Sequence, residues 1–216
     1  MSFDPKNPLQ KRPIVEHMRL LGELVVIRPI RPNDAAQVFR SVSGRDEILR
    51  WLCWPGPKDE AELATRFANW RTDEELSSDY QFAICDVISN RLVGTISLRF
   101  SGHPDQGDIG YWVDADHWGR GFASEAVELV TYLAFHYGLG HVLFGWVFVG
   151  NEASKRVLEK SGYSLEYTSK KQVEKLGREI EEWYLLQTRA EWIPRLGGWR
   201  PEAEEVQLMK FDREKA

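Results

Sequence analysis

Two short runs in this sequence carry residues whose types and spacing could do chemistry. The first is Trp118-Gly119-Arg120-Gly121-Phe122-Ala123, at what reads as the start of a long amphipathic helix reaching Tyr137. Glycine at 119 and 121 lets the main chain approach a ligand closely. The first N–H groups of a helix lack intrahelical partners, and the helix dipole favours negative charge there by roughly 0.3–1 kcal/mol. Arg120 adds a mobile cation, and the ligand that suits such a turn is a pyrophosphate. Two familiar phosphate loops are excluded. The Gly-Lys-Ser/Thr ending of the Walker loop is missing, and Phe122-Ala123-Ser124 departs from the dinucleotide fingerprint. Standing alone, a pair of glycines serves equally well as a turn between a strand and a core helix.

The second run is Asn151-Glu152-Ala153-Ser154. It reads as a helix start, with Asn151 at the N-cap and Ser154 at the third helical position. The glycine of Ser161–Gly162 ends that helix.

Three elements must hold these runs together. Asp108–Val113 reads as a strand before the glycine turn, and Val142–Val149 (VLFGWVFV), almost wholly apolar, reads as a strand buried on both faces. With the helix between them they form a βαβ unit, so the two strands are expected to be parallel. Upstream, Glu23–Ile30 is a first strand, and a helix capped by Asn33 or Asp34 runs to Val42. A proline-broken aromatic link, Ile48–Pro57, leads to a second helix, Lys58–Leu76, on which Leu63, Phe67 and Trp70 share a face. Tyr80–Val87 and Leu92–Phe100 make a hairpin, and Tyr163–Ser169 and Glu179–Gln187 are the last strands, joined by a polar connection. The fold class is α+β (mixed α/β): a single twisted, mostly antiparallel sheet of about seven strands with helices on both faces.

Composition narrows the partners. The 216 residues are long enough to bury a core without disulfides or metal. A net charge of −5 argues against a nucleic-acid partner. The N-terminus lacks a signal-peptide run, and no window approaches 18 uninterrupted apolar residues, so a cytoplasmic protein away from membranes is expected. Cys53 and Cys85 form no metal-ligand pattern and are expected to be reduced thiols.

The segments IGYWV, HWGRGFASEA and NEASKRVLEKSGY together resemble the GNAT superfamily of acyl-CoA-dependent N-acyltransferases, and within it the RimJ/RimL-like branch of ribosomal-protein N-terminal acetyltransferases. The superfamily's pyrophosphate motif, Gln/Arg-x-x-Gly-x-Gly/Ala, falls on Trp118-x-x-Gly121-x-Ala123, with tryptophan in place of the usual polar first residue. The resemblance covers about residues 23–193, leaving an N-terminal arm (1–22) and a C-terminal tail (194–216) outside it. It implies acetyl-CoA as cosubstrate and no metal. It also implies a bulged strand Asp108–Val113 that splays from Val142–Val149 to admit pantetheine. Val113, Asp114 and Ala115 would then contact the pantetheine arm, with residues 118–123 (Trp118, Gly119, Arg120, Gly121, Phe122, Ala123) at the pyrophosphate. A strand N–H near Tyr111–Trp112 would meet the thioester oxygen, a donor worth roughly 2.7–4 kcal/mol where water is excluded.

Acetyl transfer to an amine needs a base for the ammonium and a neutralising group for the departing thiolate. The resemblance puts Asn151 and Ser154 beside the sulfur. Many members carry a tyrosine four residues beyond Ser154; here Leu158 stands there. Asp108 is the favoured base, with Glu182, His103 or a water relay as alternatives. Trp51, Trp54 and Trp183 are candidate walls of the acceptor pocket, where a cation over tryptophan gains roughly 0.5–2 kcal/mol. The expected activity is direct transfer from acetyl-CoA to a primary amine, of a protein N-terminus or a small molecule, by a monomer or homodimer. The rival from another class is a non-catalytic acyl-CoA-binding sensor or assembly module on the same fold.

Overall fold

The computed structural model describes residues 18–76, 79–100, 103, 105–195 and 202–204. Among these residues nine strands form one sheet: β1 (Arg19–Leu21), β2 (Val25–Pro29), β3 (Asp79–Asp86), β4 (Leu92–Arg99), β5 (Gln106–Val113), β6 (Val142–Phe148), β7 (Ser164–Val173), β8 (Arg178–Thr188) and β9 (Glu202–Glu204). Their order is β7-β8-β6-β5-β4-β3-β2-β1-β9. Every neighbouring pair is antiparallel except β5–β6, the parallel pair that the βαβ reading requires.

Among the described residues six α-helices accompany the sheet: α1 (Ala35–Val42), α2 (Asp46–Leu49), α3 (Glu60–Leu76), α4 (Phe122–His136), α5 (Glu152–Lys160) and α6 (Arg189–Arg195). Strand alternation sends side chains to two different cores. Ile27, Phe82, Ile96, Ile109, Leu143 and Leu185 pack with α4 and α5 on one face. Val26, Ala83, Cys85 and Leu92 pack with Val38 and Val42 of α1 and Leu63 and Phe67 of α3 on the other.

The parallel pair is the weak seam. It is paired only at Gln106–Val142, Gly107–Leu143 and Asp108–Phe144. Beyond Asp108, β5 keeps an unbroken register with β4 up to Val113, while β6 stays paired with β8 up to Phe148. The sheet therefore opens into a V as each strand follows its antiparallel partner. The bulge expected in β5 is absent; the register irregularities are in β3–β4 and β7–β8.

Other expectations are corrected by packing. β6 is not buried on both faces: Leu143, Gly145 and Val147 are buried, while Phe144 and Trp146 are half-buried. The strand count exceeds seven because β1 and β9, three residues each, are too short to leave a period. β1 also brings Met18 and Leu20, at 1% and 0% exposure, into the core from the segment read as an arm. β7 continues to Val173, into the stretch read as a polar connection. Trp192 lies against Tyr132 and Phe135 of α4, at ring distances of 6.1 and 5.5 Å, covering this chain's own core. Residues 1–17, Ser101, Gly102, Pro104 and Trp199 lie outside the described residues.

Candidate active site

The V opens into a cleft of about 850 Å³ that passes from one face of the sheet to the other. Its α4–α5 side begins at the glycine turn. Gly119 and Gly121 have φ of +75° and +87°, left-handed backbone in which a side chain is strained. Gly121 is the N-cap of α4, and the first backbone bond of the helix runs from the Glu125 N–H to the Gly121 carbonyl. The N–H groups of Phe122, Ala123 and Ser124 thus precede the intrahelical ladder and face a surface fit for an anion. Arg156 and Lys160 of α5 line the same end. The turn is held from behind: the Glu125 carboxylate accepts from the N–H groups of Glu23, Leu24 and Val25 at 2.7, 2.8 and 2.6 Å.

Along β5 the backbone phase is fixed by the Asp114 N–H, which donates to the Val93 carbonyl next to β4. Alternation then turns the main-chain groups of Gly110 and Trp112 toward β4, and those of Ile109, Tyr111 and Val113 toward the gap. The Trp118 indole N–H donates to the Val113 carbonyl at 2.8 Å, pinning the turn to the strand end. The N–H of Tyr111 is left facing the gap where strand pairing has stopped.

Across the gap, Asn151 caps α5 by accepting from the Ser154 N–H at 3.2 Å. The Ser154 hydroxyl lies 2.9 Å from the Tyr111 hydroxyl, which also donates to the Ser154 carbonyl at 3.1 Å. Burial pushes the Tyr111 phenol well above its ordinary range, against a smaller opposing effect of Ser154, so it stays protonated. Period two places Tyr111 on the face of Ile109 and Val113, opposite Asp108.

The other side of the cleft is a chamber over the α1–α3 face. Its floor includes Gln81, Thr95, Ser97, Arg99 and Asp108, and its end wall includes Trp146, Lys171 and Glu182. Asp108 is engaged by Arg99 at 2.6 Å. Glu182 is 3% exposed. One of its oxygens has no hydrogen-bond partner among the described residues, and the other is 3.9 Å from the Lys171 ammonium. Burial raises its pKa above the usual carboxylate value; Lys171 opposes the shift and Asp108 adds to it.

Trp51, Trp54 and Trp70 roof the chamber. Trp51 reaches toward Gly150, where an added Cβ would lie 3.8 Å from its ring. The Arg66 guanidinium sits 5.5 Å from the Trp54 ring centre. Lys175, at the tip of the β7–β8 hairpin, donates to the Leu49 carbonyl and, at 3.4 Å, to the Trp54 carbonyl. That clasp ties the roof to the far half of the sheet. Partial burial lowers the Lys175 pKa, with Cys53 opposing. Cys53 also lines the cleft, whereas Cys85 is buried and its thiol is pushed up by that burial.

The structure thus gathers Asp108, Val113, Trp118, Gly119, Gly121, Phe122, Ala123, Asn151, Ser154, Trp51 and Trp54 on one cleft. Five expected residues do not line it. Asp114 caps the 3-10 turn Ala115–His117, accepting from the Asp116 N–H, with Arg45 3.7 Å away. Ala115 belongs to that turn, and Arg120 is exposed beside the helix start. Trp183 faces α5, with the Lys155 ammonium 4.9 Å from its ring, because neighbouring residues on β8 take opposite faces and Glu182 has the chamber. His103 accepts from the Asp105 N–H at 3.2 Å in an exposed loop. Sequence reasoning missed the Tyr111 side chain, Arg99, Trp146 and Lys175. A tyrosine between two aliphatics on the core-facing side of β5 was the one signal available.

These features define a class: a mixed sheet split at its parallel pair, with a glycine-capped helix start on one face and an aromatic-roofed chamber holding two carboxylates on the other. A model of the acetyltransferase (GNAT) domain family matches residues 25–164, and the chain belongs to that family of N-acetyltransferases. It is 30% identical over 159 residues to the probable N-acetyltransferase YjcK of Bacillus subtilis, covering 71% of this chain and 88% of that one. Among solved structures, Mycobacterium smegmatis RimJ in complex with a CoA disulfide superposes with a TM-score of 0.69 at 21% identity, over 86% of this chain and 94% of that one. RimL, a ribosomal-protein α-N-acetyltransferase in complex with coenzyme A, gives 0.71 at 16% identity over 80% and 98%.

Proposed function

We propose that this N-acetyltransferase moves the acetyl group of acetyl-CoA directly to a primary amine, with the cosubstrate on the α4–α5 side of the V and the amine on the α1–α3 side. The observation that carries the reading is the split itself. It opens between the glycine-capped start of α4 and the Tyr111–Ser154 pair, and it gives the buried Glu182 carboxylate access from the opposite face. The fit to acetyl-CoA rests on the free helix N–H groups beside Arg156 and Lys160, and on the unpaired edge of β5.

Glu182 accepts a proton from the incoming ammonium. Its buried, incompletely paired carboxylate suits that role better than Asp108, which Arg99 engages. We assign Asp108 to shaping the field around Glu182. The free amine attacks the thioester carbonyl; the C–N bond forms as the C–S bond breaks, and the electron pair leaves on sulfur. The Tyr111 N–H meets the oxygen as charge develops on it, a contribution of roughly 2.7–4 kcal/mol in a dry site. Ser154 turns its hydroxyl proton from Tyr111 to the departing sulfur, which finally takes the second amine proton. Tyr111 orients the Ser154 hydroxyl and, with its pKa raised, is not itself the proton source. Asn151 fixes the start of α5 and hence where Ser154 stands.

Among the described residues no helix is long and apolar enough to cross a membrane, and we place the reaction in the cytoplasm. The test is acetyl-CoA with a panel of amines and peptides, read by mass spectrometry. Acetylated product is expected. CoA at 100 times its dissociation constant should stabilise the fold by roughly 2.7 kcal/mol. A CoA-stabilised protein that acetylates no amine would overturn the catalytic reading and leave a binding module.

A further inference from the structure

Among the described residues, helices α1–α3 cover the β2–β4 part of their face, and no helix packs on the β6–β8–β7 part of it. Four aromatic rings lie on this open half. Trp146, Tyr184 and Tyr167 are cross-strand partners in one row, with ring centres 4.6 Å apart for the first pair and 4.7 Å for the second. Phe144 lies 5.3 Å from Tyr184 and 6.4 Å from Trp146. Tyr167 is 50% exposed, and the other three rings are half-buried.

The row continues the chamber. Trp146 and Glu182 both line the cleft, and Tyr184 stands two residues along β8 from Glu182, on the same face and about 7 Å away. Asp108 and Glu166 both act on Tyr184, adding to burial and Tyr167 in raising its phenol. Of the cations lining this side among the described residues, Arg99 and Lys171 are each directed at a carboxylate, Asp108 and Glu182, while Arg66 pairs with Glu62 and Arg50 lies over the Trp51 ring. Glu166 is left at the outer rim as an exposed carboxylate beside open ring faces.

We infer that the aromatic row is an acceptor subsite for an N-terminal peptide, and that it takes a lysine or arginine side chain at the second or third residue. The inference rests on the proposed placement of the reacting amine at Glu182. With the N-terminus there, successive Cα atoms 3.8 Å apart carry the second and third side chains to the level of Tyr184. Aromatic faces attract an ammonium or guanidinium, and Glu166 adds charge complementarity at the rim. The strip is open toward the edge strand β7, which suits a chain that continues outward.

The experiment measures dissociation constants, by fluorescence anisotropy, of short peptides that differ only in Lys, Ala or Glu at residues two and three, on the CoA-loaded protein. Acetylation of the same peptides is followed in parallel. Lysine peptides are expected to bind about tenfold more tightly than glutamate peptides. In Tyr167→Ala, whose ring is the most exposed of the four, the preference should shrink to about threefold or less while CoA affinity stays the same. Glu166→Gln should reduce it in part. Equal binding across the panel overturns the subsite, whether or not the peptides are acetylated. A free diamine that outcompetes every peptide overturns the choice of a chain as occupant. Charge-selective binding without acetyl transfer would keep the subsite and sink the catalytic reading instead.

Discussion

The two sides of the split sheet are built by different means. On the α4–α5 side the anion site is mostly main chain: two glycines in left-handed backbone, the first N–H groups of a helix and the unpaired edge of β5, nearly all within residues 109–124. On the α1–α3 side the chamber is made of side chains from segments far apart. Trp51 and Trp54 come from the proline-broken link, Arg99 and Asp108 from β4 and β5, Trp146 from β6, and Lys171 and Glu182 from the β7–β8 hairpin. A backbone site binds a feature shared by every turnover and tolerates side-chain change around it. A side-chain site can be retuned residue by residue, which suits the half that distinguishes one amine from another.

That contrast can be broken most severely at Gly121. A β-branched residue there would have to adopt φ of +87° with its Cβ 3.1 Å from Leu24. Gly121→Val is expected to weaken CoA binding by about a hundredfold or more, read as loss of the CoA-dependent melting shift. The apoprotein should still melt cooperatively. Retained CoA affinity would remove the phosphates from this turn.

Glu182→Gln tests the other side. It should lower kcat by about 10²–10⁴-fold, the range of general base catalysis, with the CoA dissociation constant unchanged. Because burial raises the pKa of Glu182, the wild-type rate should fall on acidification at a pH above that of an ordinary glutamate, and the variant should lose this limb. The same shift has a stability consequence. The folded state holds a proton that the unfolded state has released between pH 4.5 and the raised value, so the fold loses stability as pH rises through that window. Glu182→Gln should therefore melt higher than wild type at neutral pH. A variant that is less stable there would show that Lys171 outweighs burial.

A smaller effect is expected at the seam between the two sides. Tyr111→Phe removes the phenol that orients Ser154. It should cost about three- to thirtyfold in kcat with little change in either KM. It should cost almost nothing further in a Ser154→Ala background. Additive losses would mean that the two hydroxyls act separately.

The least effect is expected at the clasp. Lys175→Ala frees the Leu49 and Trp54 carbonyls. It should raise the amine KM about threefold and leave the CoA dissociation constant alone, measured by initial rates and by melting. A change in CoA affinity instead would mean that the hairpin also shapes the backbone-built half.

How much was legible follows the same division. The strands and helices that carry strong periods were placed to within a few residues, including the βαβ unit at the seam. β1 and β9 were not, because three residues pairing with distant strands carry no local signal. The glycine turn and the Asn151 cap could be read because each satisfies backbone groups within a few residues of itself. Trp183 was a reasonable acceptor wall until the pleat of β8 fixed its parity, giving the chamber to Glu182 and Trp183 to α5. Asp108 could be read as a candidate base, but its partner Arg99, nine residues earlier and directly opposite on β4, could not be read from the sequence.

By itself the sequence determined the order of the longer elements, the resemblance to the family and the glycine turn that starts α4. All of these are properties of contiguous residues, in which period, cap and turn chemistry act over a few positions. Only the tertiary structure decided where the parallel seam stops pairing, that Tyr111 meets Ser154, that Arg99 engages Asp108 while one oxygen of Glu182 is left without a hydrogen bond among the described residues, and that four aromatic rings share the face beside them. Those facts depend on strand register and on the path of the β7–β8 hairpin. Both are set by contacts between residues tens of positions apart, where a shift of one residue exchanges the two faces of a strand.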